Sequence, residues 1–240
     1  MINTLFFDLD GTLLHMDQDL FIKDYFKRLV KALSQTGLEP ELGIKAVGYG
    51  TQLMLGNTGP TLNEDLFWKG FTQISSIQKE NISDLIDTFY LTDFQKVSQS
   101  TQAILGIKDV ISDIKDKGYK LVLATNPLFP QAATHSRVRW ANLDIDMFEE
   151  ITTFENYHAS KPSLEYYQEI MDKVGVSPTE VLMVGNDVKE DLAIRHLGSK
   201  TYLVTDNLIN RENQEIVSDH VGSMDEFRNF AKKLPNINVY

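Results

Sequence analysis

The sequence predicts an α/β fold whose doubly wound parallel sheet is interrupted by an inserted all-helical segment. After residue 105, short apolar runs that end in polar residues alternate with amphipathic helical patterns. One further apolar run, residues 2–9, lies far upstream, and a long and mostly helical stretch follows it. We therefore expect residues 1–16 and 100–240 to form one core and residues 17–99 to form an insertion.

The first strand and the insertion come first along the chain. Residues 2–9 predict a short buried strand, which Gly11 ends. Apolar residues at steps of four predict a helix that ends at Gly37: Phe21, Tyr25, Leu29 and Leu33. A looser stretch is expected around the next four glycines, Gly48, Gly50, Gly56 and Gly59. Two more helices are predicted from TLNEDLFWKGFTQI and NISDLIDTFYLTDFQ.

The remaining elements alternate between strand and helix. Strands are predicted from the segments YKLVLATN, FEEITT, EVLMVGND and KTYLVTD. Helices are predicted from IKDVISDIKDKG, residues 130–142, SLEYYQEIMDKVG, KEDLAIRHLG and MDEFRNFAKKL. Such alternation requires parallel crossovers, with helices on both faces of the sheet. The expected core is therefore Rossmann-like.

Composition excludes several classes of function. The chain has 240 residues, no cysteine and a formal net charge of −11. The absence of cysteine excludes disulfides, cysteine nucleophiles and thiolate metal sites. The acidity disfavours general binding to nucleic acid or to anionic membrane. With no apolar run of ~18 residues and no basic, signal-like start, we expect a cytoplasmic protein without a membrane partner. No pattern in the sequence indicates an oligomeric state.

Two acids interrupt the first apolar run, in the segment LFFDLDGTLL. Asp8 and Asp10 are two residues apart, so an extended backbone points both side chains the same way. Their repulsion raises the pKa of one carboxyl or recruits a cation. Taken alone, the pair is better explained by a turn with two solvated acids. A calcium loop is excluded, because Thr12 and Leu13 occupy positions that need an oxygen ligand and a glycine.

Polar residues also follow the later predicted strands. Thr125 and Asn126 end the second strand, Asp187 ends a later one, and Lys161 lies at the start of a helix. Ligands bind beyond the carboxyl ends of parallel strands, so these residues are expected at one edge of the sheet. Each has a plainer explanation by itself: a loop residue, an acidic first turn or a solvated lysine. Asp191, four residues after Asp187, is expected on the same helix face.

Two arginines in the segment THSRVRW, Arg137 and Arg139, could bind an anion. We expect both to be residues of a helix surface.

The order DxDGT, strand-Thr-Asn, Lys-Pro and GND-x3-D resembles the four motifs of the haloacid dehalogenase-like superfamily, which consists mostly of phosphatases and related phosphoryl-transfer enzymes. The motif-bearing elements cover most of residues 1–15 and 105–205. The insertion resembles the helical cap of that superfamily. The resemblance therefore implies a Mg²⁺-dependent phosphatase that acts on a small phosphorylated metabolite.

The resemblance also implies a role for each residue of the motifs. Asp8 is the nucleophile that forms an aspartyl-phosphate, and Asp10 is the acid and base. Mg²⁺ is held by the Asp8 carboxylate, the Asp10 carbonyl and Asp187. Asp191 orders a metal-bound water or Lys161. The phosphoryl oxygens are held by Thr125, Asn126 and Lys161.

Three other functions are open to a chain with these motifs. A phosphomutase of the same fold would need a second phosphate site in the insertion, and residues 18–98 contain no clear basic cluster. A dehalogenase has no need for Asp10 or for the acids at 187 and 191. A catalytically silent regulatory binding protein has no reason to keep so many costly acids together.

Overall fold

The computed structural model describes residues 1–237, and its largest feature is a six-stranded parallel sheet. The strands are numbered in chain order. In space they run β5 (Glu150–Ile151), β4 (Lys120–Leu123), β1 (Thr4–Phe7), β6 (Val181–Gly185), β7 (Lys200–Val204) and β8 (His220–Gly222). Every neighbouring pair is parallel, which confirms the predicted α/β class.

Helices cover both faces of the sheet because its central strands are apolar on both sides. Leu5 and Phe7 face the layer that contains α5 (Ile107–Asp116) and α8 (Met224–Lys233). Phe6, which points the opposite way, packs in the layer that contains α7 (Leu164–Val174). All three side chains are fully buried. This two-sided burial explains why β1 is a continuous apolar run, and it confirms the doubly wound prediction.

Between residues 17 and 100 the chain forms four α-helices, α1 (Gln18–Leu33), α2 (Pro40–Leu55), α3 (Asn63–Ser75) and α4 (Ser83–Leu91). The predicted looser stretch around Gly48 and Gly50 is wrong, since both residues lie inside α2. At Gly50, an added Cβ would lie 2.7 Å from the carbonyl oxygen of Phe67, and an added Cβ at Gly70 would lie 2.9 Å from the Cα of Gly50. Gly50 therefore allows α2 and α3 to pack closely.

Two short strands that the sequence did not predict lie at either end of this helical segment. β2 (Leu14–Met16) and β3 (Thr101–Ala103) pair in antiparallel fashion. β8 was also missed, since only three residues form it. Single 3₁₀ turns or short 3₁₀ helices occur at Ser34–Thr36, Lys79–Asn81, Phe94–Ser100, Ile145–Met147, Pro178–Glu180 and Asp191–Leu197.

The predicted helices after β4 are present with one exception. α6 (Gln131–Trp140) lies within the predicted residues 130–142. The segment KEDLAIRHLG, in contrast, forms a 3₁₀ helix over Asp191–Leu197 rather than an α-helix. Among residues 1–237, no helix combines the length and the apolar character needed to cross a bilayer.

Candidate active site

A tight turn after β1 holds the two acids of the first motif. Asp8 still belongs to the sheet ladder, because its N–H donates to the carbonyl of Val184 at 2.9 Å. Gly11 then takes a φ of +91°, which favours glycine. An added Cβ at Gly11 would also lie 2.3 Å from the side-chain amide of Asn186. The turn therefore needs glycine, and it directs Asp8 and Asp10 into one cavity.

Lys161 bridges two carboxylates at the centre of the site. Its Nζ donates to Asp8 Oδ1 at 2.9 Å and to Asp191 Oδ1 at 2.6 Å. The lysine side chain is fully buried. Burial raises the pKa of Asp8 to about 7, although the ammonium group of Lys161 acts to lower it. Burial also acts to lower the pKa of Lys161, but its two carboxylate partners outweigh burial and raise it.

Main-chain N–H groups hold the two acids that follow β6. The carboxylate of Asp191 accepts from the N–H groups of Asn186 and Asp187, both at 2.9 Å. The carboxylate of Asp187 accepts from the N–H groups of Lys189 and Glu190, both at 2.8 Å. The expected shared helix face is therefore wrong. Asp187 instead lies in a turn that precedes the 3₁₀ helix, and Asp191 is the first residue of that helix.

Arg137, which the sequence placed on a helix surface, is buried and paired with Asp10. Its side chain is 1% exposed, and its Nη1 donates to Asp10 Oδ2. Nη2 donates to Thr134 Oγ1 at 3.2 Å, and the guanidinium lies 4.6 Å from the ring centre of Phe129. Arg139, by contrast, is exposed as expected. The structure thus supplies a counterion for Asp10 that the sequence analysis missed.

The loop after β4 brings the second motif to the same cavity. The carbonyl of Thr125 accepts from the hydroxyl of Tyr166 at 2.8 Å and from that of Thr152, which fixes the loop. Asn126 Nδ2 donates to Glu190 Oε2 at 3.1 Å. Glu190 was not among the predicted site residues, and burial raises its pKa to about 7.

One cavity of about 140 Å³ collects nearly all of these groups. The predicted residues that line it are Asp8, Asp10, Thr125, Asn126, Asp187 and Asp191. Lys161 does not line it but contacts it through Asp8. Asn186, Arg137, Glu190 and the exposed Arg211 are lining residues that the sequence analysis did not assign to the site. The structure therefore brings all the predicted site residues together.

The donor set of this cavity fits a hard divalent cation. Among residues 1–237, no three His, Cys, Asp or Glu side chains converge as a ready metal site. The Mg²⁺ set implied by the sequence needs only two carboxylates and one carbonyl, and Mg²⁺ keeps several waters. Two buried acceptors, Asp10 Oδ1 and Asn126 Oδ1, have no hydrogen-bond partner among the described residues. Burial also raises the pKa of Asp10 and Asp187, a cost that a cation would offset.

Comparison with known proteins identifies the family. The model of the haloacid dehalogenase-like hydrolase family matches residues 2–198. The chain belongs to this family. The match includes all the site residues above except Arg211, and it confirms the resemblance drawn from the four motifs. The chain is therefore a hydrolase with the fold of this family.

Individual relatives are more distant. The chain is 24% identical over 211 residues to "Pyrophosphatase PpaX" of Anoxybacillus flavithermus, covering 88% of this chain and 87% of that protein. It is 26% identical over 208 residues to "Phosphoglycolate phosphatase" of Vibrio vulnificus, covering 85% and 84%. A haloacid dehalogenase-like phosphatase structure from Thermococcus onnurineus aligns with a TM-score of 0.60 at 19% identity, covering 98% of this chain and 100% of that one.

Proposed function

We propose that this hydrolase is a Mg²⁺-dependent phosphomonoester phosphatase that acts on a small phosphorylated metabolite through an aspartyl-phosphate on Asp8. The observation that carries the proposal is the cavity in which Asp8, Asp10 and Asp187 lie together, with Lys161 bound to Asp8. A carbon–halogen hydrolase would have no use for the second and third of these acids. The names of the relatives above support the same reaction class.

In the proposed reaction, Asp8 attacks phosphorus and Asp10 protonates the leaving oxygen. Asp10 is suited to donate a proton because burial raises its pKa, against the lowering effect of Arg137. In the second half, Asp10 accepts a proton from the water that hydrolyses the aspartyl-phosphate. Arg137 acts through Asp10 and is a positioning residue, since its guanidinium fixes that carboxyl in the cavity.

In the proposed reaction, Lys161, Thr125 and Asn126 bind the phosphoryl oxygens. The buried ammonium group of Lys161 is fixed next to Asp8, so positive charge is already in place where the transferring group passes. Asp191 keeps Lys161 in that position. The carboxylates of Asp8 and Asp187 and the carbonyl of Asp10 would hold Mg²⁺, which supplies positive charge that stabilises the phosphoryl group during transfer.

The test is a screen of phosphorylated metabolites for release of inorganic phosphate, with Mg²⁺ and with a chelator. We expect hydrolysis with Mg²⁺, no hydrolysis in chelator, and inhibition by Ca²⁺, whose looser coordination spoils in-line geometry. The same protein is assayed for halide release from a 2-haloacid. Asp187→Asn should lose activity, whereas Asp93→Asn, a change at a surface acid paired with Lys96, should not. Full activity in chelator, or halide release without phosphate release, would refute the proposal.

A further inference from the structure

A second cavity lies between the helical segment and the loop after β4. It has a volume of about 240 Å³, and eight of its 22 lining residues are aromatic. An apolar cavity of about 150 Å³ is large enough to bind benzene, so this one has room for one or two rings. The indole N–H of Trp68, one of its lining residues, is buried without a hydrogen-bond partner among the described residues.

The two cavities share a wall. Leu128 and Phe129 line both of them. These residues follow Thr125 and Asn126 in the same loop, and a chain of three or four residues spans roughly 10–14 Å at most. A phosphate bound at Thr125 therefore places its ester substituent within reach of the apolar cavity.

The charges of the second cavity disfavour an anionic substituent. Its lining residues, all of which belong to the described part of the chain, include three acids and one cation, Lys79. Lys79 is already paired with one of the acids, Glu64, at 2.6 Å. Another of them, Glu155, accepts from the N–H of Gln131. A carboxylate or a second phosphate would thus be buried near acids without a free cation, which is costly.

We propose that this apolar cavity binds the organic part of the substrate, and that this part is an uncharged group of one or two rings. The inference rests on the proposed phosphatase function and adds the substrate class. It separates this chain from relatives named for pyrophosphate or phosphoglycolate, since both of those compounds carry a second anionic group.

The first test compares three alkyl phosphates on the wild-type protein with Mg²⁺. We expect kcat/KM for 2-phenylethyl phosphate to exceed that for ethyl phosphate at least ~10-fold, because burial of the phenyl ring in the cavity removes its apolar surface from water. The kcat/KM for phosphoglycolate should be lower than that for ethyl phosphate. Equal kcat/KM values for the two substrates with uncharged substituents, or a preference for phosphoglycolate, would overturn the inference while leaving the phosphatase proposal intact. Hydrolysis of none of a wide panel would count against the phosphatase proposal instead.

A variant that fills the apolar cavity tests whether the preference for a phenyl substituent arises there. Thr51 lines the apolar cavity, is half-buried and donates from its hydroxyl only to the main chain of Val47. Thr51→Trp should reduce the kcat/KM ratio of 2-phenylethyl phosphate to ethyl phosphate to about one by filling the cavity. The matched control is Thr88→Trp, at an exposed position outside the cavity. An unchanged ratio in a folded Thr51→Trp protein would overturn the inference.

A binding measurement tests the cavity without catalysis. Calorimetric titration of the wild-type protein should detect 2-phenylethanol, and should detect phenylacetate, which carries the same ring and a carboxylate, at least ~10-fold more weakly. Equal binding of the two compounds, or binding of neither, would overturn the inference whether or not the chain is a phosphatase.

Discussion

Removal of the Arg137 guanidinium should destabilise the fold through Asp10. The two side chains are 1% and 19% exposed, so the pair lies largely inside the protein. Deleting one partner of a buried pair costs about 3–5 kcal/mol when the other stays charged. Arg137 acts to lower the pKa of Asp10, so its loss allows Asp10 to become neutral and limits the cost. We expect Arg137→Met to lower the free energy of unfolding by about 3 kcal/mol at neutral pH.

Urea unfolding measures this change, and the neighbouring Arg139 supplies a matched control. Arg139 lies on the same helix but is exposed, so Arg139→Met should change the free energy of unfolding by no more than about 0.5 kcal/mol. Combining Arg137→Met with Asp10→Asn should recover at least about 1 kcal/mol, because an amide needs no counterion. Equal stability of the two arginine variants, or a double variant that recovers nothing, would show that Asp10 does not depend on Arg137 as its counterion.

Two further predictions concern the helical segment and the metal site. Gly50→Ala should lower the free energy of unfolding, measured in urea, by about 1–3 kcal/mol, because the added Cβ meets the main chain of α3. Gly48→Ala, whose added Cβ has nothing within 4 Å, should raise the free energy of unfolding by about 0.5–1 kcal/mol. Similar values for the two variants would show that Gly50 is not needed for close packing of α2 and α3. Because Asp8 has its pKa raised to about 7 when folded, its bound proton stabilises the metal-free protein at low pH, and that stability is lost as the pH rises from about 4 to 7. Mg²⁺ should therefore raise the Tm more at about pH 8 than at about pH 5 in thermal unfolding, and equal shifts would count against Asp8 as a ligand.

The sheet core could be predicted from sequence because each of its buried strands can be recognised within a short segment of the chain. A strand buried on both faces is a continuous apolar run, and the ends of such strands meet at one edge. Asp8, Asp10, Thr125 and Asp187 each lie within three residues of the end of a strand, so their convergence was visible in the chain order. The polar residues at these strand ends were therefore the strongest signal in the sequence.

Arg137 could not be found in this way because its role depends on tertiary packing. Arg137 and Arg139 are two residues apart on α6 and therefore lie on different faces, but nothing in THSRVRW says which face is covered. The sequence did show that Asp10 has no cationic residue near it in the chain. This was the one indication that a buried cation had to come from a distant segment. The glycines of α2 misled for a similar reason, since Gly50 is required by the partner helix and not by its own backbone.

The mass of the protein after rapid quench with 4-nitrophenyl phosphate shows whether Asp8 is the nucleophile and Asp10 the acid and base. Asp10→Asn keeps the attacking carboxylate, and an aryl leaving group needs little protonation, so the first step should persist. The water step should slow by about 10²–10⁴-fold, and one added phosphoryl group should accumulate on Asp8. Asp8→Asn should show neither turnover nor added mass. Near-normal turnover by Asp8→Asn, or a phosphoryl group mapped to another residue, would show that Asp8 is not the nucleophile.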